Sequence, residues 1–558
     1  MADTDLTDSV GDHHHHQDRE KHDLNANNSN MSGNKVLLDQ TLKRINHQRI
    51  RDHAQQLKLD LLDSMSNQLE ELLDGFVSTV EQIEVGDDLN VQNGSIKNHC
   101  PSCASHPTEE VASKKKEKTG ELPDKVFVTR SSVLTELFEI SHVRTIYHIF
   151  VAVLIVFSLN TMLYDVLEKH TLNLNFGMIQ WAFGKFPKVM ALWMMMQGST
   201  LLIVYPAFYC WASYRTPKNS GILDVIWISL VIIYQLAFLL IPLFYLIEHD
   251  LPPASSVVVT AEQTRFLMKT HSFIRENTAR VMYKKKDDDD QETSLCPDFS
   301  KYLYFLFCPT LVYRDNYPRT QTISWKYVVT NFLQVLACLI YIYYIFERFC
   351  VPVFQNFNKD HITAKGFILS MFGCMMPGTL LLFISFFAIL HSWMNAFAEM
   401  LRFGDRLFYK DWWNSTTFSN YYRTWNVVVH DWLYTYIYKD ICKLVGPRNR
   451  PGAMACVFLI SAVFHEYILT CTFKFFYPVL FVMFAGAGFG FIFLTDKGSS
   501  RSWNVFMWVA LFLGNGLLMC LYSMEFYARQ NCQASTESLL DLMIPRSWFC
   551  VYPKTEIL

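Results

Sequence analysis

The sequence is short of charge. Asp, Glu, Lys and Arg make up 18% of its 558 residues, against 51% hydrophobic and 15% aromatic, and the formal net charge is −3. A chain this close to neutral lacks the basic footprint that a nucleic-acid backbone requires, so no nucleic-acid partner is expected. No cleavable leader is expected either: Met1-Ala2-Asp3-Thr4-Asp5 is acidic and polar, so the first membrane segment is expected to target the protein. No Gly-x-Ser-x-Gly elbow occurs, which removes the commonest serine-nucleophile signature. The Glu-x-x-His and His-Glu-x-x-His spacings are absent around the last histidine-bearing apolar run, and no metal is expected there. Cys100-Pro101-Ser102-Cys103, with His99 and His106, has metal-like spacing but no second ligand pair. Most of the 14 cysteines stand in apolar runs, where Cys acts as a small hydrophobe.

What the chain has in quantity is long apolar runs. Mean hydropathy is +0.12 although the first stretch of the chain, up to Arg130, is polar. Runs near 146–164, 189–212, 222–247, 327–349, 366–394, 452–473, 475–494 and 503–523 each approach or exceed the ~20 residues that cross the hydrocarbon as a helix. Lys114–Lys116, Lys118, Lys125, Arg130 and Arg144 precede the first run, which puts the N-terminus in the cytosol. Three crossings would then leave the basic stretch 265–326 on the wrong side. It carries Arg265, Lys269, Arg275, Arg280, Lys284–Lys286, Arg314 and Arg319. A further, more polar crossing from Pro252 to about Val281 resolves the conflict, provided that Glu262, Arg265 and His271 face protein or a cavity instead of lipid. The expected fold is therefore all-α and polytopic, with about nine transmembrane helices, a cytosolic N-terminal region and a lumenal C-terminus. Cys532 and Cys550 flank the loop beyond the last span, where an oxidising lumen would permit a disulfide.

Five regions follow. Residues 1–35, with the His13–His16 run, are expected to be disordered. Residues 36–83 carry Leu62, Met65, Leu69, Leu72, Phe76, Val80 and Ile83 at spacings of three and four, the stripe of a cytosolic helix that self-associates or packs on its own membrane domain. Residues 84–130 are linker, 131–530 the membrane domain, and 531–558 a lumenal tail.

The chemistry concentrates between His391 and Tyr467. His465 and Glu466 stand within the run 452–473, and ionisable groups at such depth are functional candidates. A buried, neutral imidazole is a competent general base for an alcohol attacking an acyl carbon. The competing reading is a histidine that only bonds a neighbouring helix. Glu466 points about 100° away on a helix and reads as a packing acid. Ser461, four residues before His465, shares its face. The stretch 402–450 mixes Arg402, Arg406, Lys410, Arg423, Lys439, Lys443, Arg448 and Arg450 with Trp and Tyr. It is either an interfacial aromatic belt with ordinary positive-inside charge or a site for an anionic, aromatic ligand such as coenzyme A.

Phe408-Tyr409-Lys410-Asp411-Trp412-Trp413-Asn414 resembles the FYxDWWN signature of the sterol- and diacylglycerol-acylating branch of the membrane-bound O-acyltransferase superfamily. His465-Glu466-Tyr467 resembles that family's catalytic-histidine segment. Within the branch, His142–His148, Tyr302–Phe307 with Pro309–Leu311, and Tyr421–Trp432 are similar to the sterol O-acyltransferase family, and the likeness runs from about Phe127 to Tyr552. The resemblance implies transfer of a long-chain acyl group from acyl-CoA to the 3β-hydroxyl of cholesterol or a related sterol. It makes His465 the general base and Asn426, beside Trp425, the donor at the acyl carbonyl. Asn420, Arg423, His430, Tyr438, Ser461 and a basic residue at Arg448 or Arg450 become CoA-side candidates. Phe408, Tyr409, Asp411, Trp412, Trp413 and Asn414 would shape the CoA entrance. A Cys532–Cys550 disulfide, the endoplasmic reticulum membrane, a homodimer or homotetramer, and cholesterol as activator as well as substrate are also implied. No permanently bound cofactor is. Diacylglycerol O-acyltransferase, which shares both motifs, is the rival enzyme; the sterol-type entry and the cysteine tail argue against it. A proton-coupled transporter using His465 and Glu466 is the rival of another class.

Overall fold

A computed structural model describes residues 122–170, 177–216, 218–282, 296–357, 363–446, 449–496, 500–532 and 539–549. All belong to the second of the two compact units into which the chain divides, Pro107–Leu558. The expectations for 1–35 and 36–83, for most of 84–130, and for Cys100, Cys103, Arg448 and Cys550 lie outside the described residues.

Among the described residues there is no β-strand, only two isolated bridges. The long helices are α1 (Ser141–Lys169), α2 (Phe186–Ser199, continuing to Tyr214), α3 (Ser220–Glu248), α4 (Pro253–Met282), α5 (Trp325–Ile345, continuing to Phe354) and α6 (Ala364–Phe386, continuing to Met400). Then come the short α7 (Phe418–Trp425) and α8 (Val427–Trp432, continuing to Val445), followed by α9 (Arg450–Phe473), α10 (Val479–Phe481, continuing to Thr495) and α11 (Ser502–Asn531). Among the described residues, seven stretches are long and apolar enough to cross a membrane: Ser141–Glu168, Gly177–Tyr214, Ser220–Glu248, Trp325–Phe354, Ala364–Met400, Arg450–Phe473 and Ser502–Asn531. The α10 stretch is apolar but shorter.

The polar helix α4 is a single helix of 30 residues, about 45 Å long and so tall enough for a bilayer. Its polar side chains turn inward. Glu262 pairs with Arg265 at 2.7 Å and accepts from Trp193 Nε1 at 2.7 Å. Lys269 donates to the carbonyls of Phe305 and Cys308 at 2.5 and 2.7 Å, and Ser272 to that of Leu311 at 2.7 Å. Gln263 repairs a defect in α3. Pro242 has no N–H to give the Phe238 carbonyl four residues back. Gln263 Nε2 donates to that carbonyl at 2.8 Å and to the Leu239 carbonyl at 2.9 Å, while its Oε1 accepts from Tyr467 on α9 at 2.7 Å.

The two ends of α4 meet different clusters. Before its start, Asp250 pairs with Lys474, at the end of α9, and with Lys185, at the start of α2. At its far end Arg280 pairs with Asp315, Glu276 with Arg314, and Arg275 with Asp440, at 2.5, 2.8 and 2.8 Å. The helix therefore carries the chain from one face of the bundle to the other.

Among the described residues, helices α6 and α11 form the most extensive helix pair, and they touch through glycine. A Cβ on Gly378 would stand 2.8 Å from the Asn515 carbonyl oxygen, and one on Gly516 would stand 2.6 Å from Met375 Cγ. Small residues at a crossing allow such close approach of backbones in lipid.

Candidate active site

Helix α9 begins with Pro451 in its first turn, where the missing N–H costs nothing. It turns Ala453, Ala462, Glu466, Cys471 and Thr472 into the protein. The Glu466 carboxylate is 4% exposed and accepts from the Phe481 amide at 3.0 Å and the Tyr522 hydroxyl at 3.1 Å. It ties α9 to α10 and α11, as a packing acid does. His465 lies about 100° round the helix from it, on the open face, and is exposed. The expectation of an imidazole buried by neighbouring helices is therefore corrected: Ala462 and Glu466 occupy the buried face of this turn, and the histidine takes the other. Nδ1 lies 2.7 Å from the Ser461 carbonyl oxygen and 3.5 Å from the Ser461 hydroxyl. Nδ1–H donating to that carbonyl leaves Nε2 with its lone pair. Nε2 has no hydrogen-bond partner among the described residues. Among the described residues the one close ring is Phe484, stacked at 5.3 Å.

The loop after α6 carries the aromatic motif. Phe408, Tyr409 and Trp412 are buried in the main core, whereas Lys410, Asp411 and Asn414 are exposed. Trp412 stacks edge-on against Trp425 at 4.6 Å, and the Trp413 carbonyl accepts from Asn504 and Trp508 of α11 at 2.9 and 3.2 Å. The loop thus pins α7 and α11 while Lys410 N–H bonds the Thr424 carbonyl at 2.8 Å.

Asn426 is the N-cap of α8: its side-chain oxygen accepts from the Val429 amide at 3.1 Å. Capping fixes the oxygen inward and leaves the carboxamide N–H2 as a donor with no partner among the described residues. A ring pathway joins this turn to the histidine: Trp425 to Tyr421 at 5.8 Å, Tyr421 to Tyr422 at 5.4 Å, Tyr422 to Phe484 at 5.3 Å, then Phe484 to His465. Asn426→Asp and Asn426→Ala should separate the two uses of this side chain. Both are expected to lower kcat by roughly 10²–10³ through loss of an amide donor. Only Ala should also lose the cap, about 1 kcal/mol of stability, measured as a melting shift of the detergent-purified protein. Wild-type kcat in the Asp variant would dismiss the donor role.

A second group lines the outer face of α8. His430 stacks on Tyr434 at 6.2 Å and Tyr434 on Tyr438 at 5.7 Å, a ladder of rings four residues apart. Burial raises the Tyr438 hydroxyl above its usual value, Cys442 adds to that rise, and Arg450 and Arg423 act against it. Both guanidiniums, exposed on their helices, therefore stand within electrostatic reach of the ladder's end. Asn420 is exposed at the Thr417-capped start of α7, its Nδ2 donating to Ser415 Oγ at 3.0 Å. Burial alone would raise the Asp431 carboxyl, but the His430 contact and the Lys125 ammonium together hold it below the usual carboxylate range.

Sequence pattern assigns no role to His391, and the structure gives it a place. It is 5% exposed, with Nδ1 2.8 Å from the Tyr409 hydroxyl and 3.5 Å from Ser132 Oγ. A histidine deep in the apolar run 366–394 was the available signal. His391, Tyr434 with Tyr438, and Phe484 all ride on π-helical turns, Phe387–Trp393, Leu433–Tyr438 and Val482–Gly488, and such turns gather at functional sites. Cys532 is a half-cystine. Among the described residues no group of three or more His, Cys, Asp or Glu is placed to hold a metal ion.

An all-helical membrane bundle with an open histidine beside an aromatic wall defines a class, and comparison with known proteins agrees. The membrane-bound O-acyltransferase family, MBOAT, matches residues 217–524, and the chain belongs to that family. It is similar to sterol O-acyltransferase 1 of Mus musculus, 49% identical over 431 residues that cover 77% of this chain and 79% of the mouse protein. Sterol O-acyltransferase 2 of Homo sapiens is 42% identical over 499 residues, 89% of this chain and 91% of the human protein.

Proposed function

We propose that this multi-pass membrane protein transfers a long-chain fatty acyl group from acyl-CoA to the 3β-hydroxyl of cholesterol or a related sterol, giving steryl ester and free CoA. The observation that carries the reading is the His465 Nε2 lone pair, held outward by the Nδ1–Ser461 bond on an open face. Nε2 takes the hydroxyl proton as the sterol oxygen attacks the thioester carbonyl. The Asn426 amide donates to the developing oxyanion. The C–S bond then breaks, and the departing thiolate recovers the proton from the imidazolium. Arg450 and His465 are 15 residues apart on α9, about 22 Å along its axis, which suits a ligand with its phosphates at one end and its thioester at the other. Arg423, Arg450 and the ring ladder His430–Tyr434–Tyr438 hold the nucleotide end, with Asn420 and Ser461 along the way. Asp411, Trp413 and Asn414 frame the entrance, and Phe408, Tyr409 and Trp412, enclosed in the core behind them, hold that loop in place.

A proton-relay transporter is disfavoured because Glu466 is engaged on the side of α9 away from His465. Microsomes given labelled oleoyl-CoA provide the test. Cholesterol-dependent steryl ester is the expected product; triacylglycerol as the sole product would favour diacylglycerol acylation, and neither product would overturn acyl transfer to an alcohol.

The same reading gives nine crossings in the endoplasmic reticulum membrane, α4 among them, with the N-terminus cytosolic and a Cys532–Cys550 disulfide in the lumen. Self-association through 36–83 as a dimer or tetramer and activation by sterol complete it. In sealed microsomes, both cysteines should resist an impermeant thiol reagent until the vesicles are reduced and permeabilised. Labelling of either from outside would contradict this orientation.

A further inference from the structure

The extended segment ahead of α1 is fastened to α8, which carries the ring ladder, and to the Gly404–Asp405 loop. Its far end is anchored firmly. Arg130 forks onto Asp405 at 2.8 and 3.4 Å, and that carboxylate is 3% exposed. The Arg130 amide donates to the Gly404 carbonyl at 2.9 Å, and the Arg130 carbonyl accepts from Arg406 at 3.2 Å. A Cβ on Gly404 would stand 3.0 Å from both Thr129 Oγ1 and the Pro318 carbonyl oxygen, so the segment and the loop approach at backbone distance. Phe127 then plugs edge-on against Tyr317 at 5.1 Å.

The near end is held by charge. Lys125 pairs with Asp431 at 2.8 Å, with the two side chains 16% and 20% exposed. Asp124 pairs with Lys439 at 2.6 Å, the lysine 8% and the aspartate 62% exposed. Both partners adjoin the ladder: Asp431 follows His430, with His430 Nδ1 3.5 Å from Asp431 Oδ1, and the Lys439 ammonium lies 5.1 Å over the Tyr434 ring. Asp124 is open to solvent, but Lys125, Asp431 and Lys439 are largely enclosed, so each pair compensates a charge that is costly to leave alone. Their effect is to fix the rotation of α8, which is also tied to α4 through Arg275–Asp440 and through Trp432 Nε1 on Ser272 Oγ at 2.8 Å.

We propose that residues 124–130 are a positioning strap for the acyl-CoA side of the site. The Lys125–Asp431 and Asp124–Lys439 pairs hold His430 and Tyr434 at the angle that receives the nucleotide end of the ligand. This rests on the acyl-CoA reading above and adds residues to it that touch neither substrate.

Full-length protein, purified in detergent, is titrated with labelled oleoyl-CoA, and the same variants are assayed in microsomes for acyl-CoA KM and kcat. Lys125→Glu and Asp431→Lys are each expected to weaken oleoyl-CoA binding about tenfold and to raise the acyl-CoA KM in step. Turnover at saturation and the sterol dependence should stay within about twofold. The double variant Lys125→Glu/Asp431→Lys is expected to recover most of the affinity, which a merely destabilised fold would not do. Unchanged affinity in both single variants overturns the strap, as does a double variant no better than the singles. Tighter binding by Asp124→Asn also overturns it, since the aspartate would then be competing with the ligand for Lys439. An unmodified chain that binds oleoyl-CoA but makes no steryl ester defeats the sterol reading alone, while the binding comparison still decides the strap.

Discussion

His465→Ala is expected to abolish steryl ester formation, a loss of about 10²–10⁴ for removal of a general base, while the protein folds and assembles normally. The ring is exposed, and its hydrogen bonds run only to Ser461 within its own helix, so truncation leaves no unpaired group behind in another element. His391→Ala provides the contrast. That ring is enclosed, and its removal strips Tyr409 of a 2.8 Å partner inside the aromatic core, so its first effect should be on melting temperature, by loss of a buried hydrogen bond. Activity and thermal stability measured on both variants settle the matter. Near-normal kcat in His465→Ala would remove the base from the mechanism.

The second large effect is expected at the α6–α11 crossing. Gly378→Leu places a branched side chain where even Cβ meets the Asn515 backbone at 2.8 Å. Main chain cannot rotate away as a side chain can, so the helices must separate. Overpacking of this kind typically costs 1–3 kcal/mol or more, a large part of the ~5–15 kcal/mol that holds a fold. A much reduced monodisperse peak on size-exclusion chromatography is expected, with melting lowered by about 5 °C or more in whatever survives. Gly486→Leu, where nothing lies within 4 Å, is the control on a different helix. Equal yields from the two would mean that the crossing is looser than described.

Much of this architecture was readable from patterns of charge and hydropathy. A polar helix over α4 was expected from a sidedness conflict between His249 and the basic stretch Arg265 to Arg319; the structure has one helix there, and its inward-turned Glu262 and Arg265 are what a crossing of that composition would demand. Glu466 was readable from the 100° step that separates it from His465. Three things were not readable. Periodicity does not tell which face of an apolar helix meets protein and which stays open, so the exposure of His465 depended on where Glu466 finds Phe481 and Tyr522. Pairs such as Arg130–Asp405 and Lys125–Asp431 join residues some 300 positions apart, and no local signal announces a partner that distant. The π-helical turns under His391, Tyr434 and Phe484 were equally silent, because one extra residue in a turn leaves an apolar run looking unbroken.

The inward wiring of α4 also bears on how the chain is made. Gln263 finds the Phe238 carbonyl in a helix already synthesised, but Lys269 and Ser272 must wait for residues 305–311, Arg275 for Asp440 and the Gln263 oxygen for Tyr467. At the moment it leaves the ribosome this helix is a poor candidate for lipid, since a lone lysine at mid-depth costs ~2.5–3.5 kcal/mol even on the mildest scale. Its final lodging therefore depends on the later half of the polypeptide, and a chain halted near residue 300 would be left with α4 unclaimed.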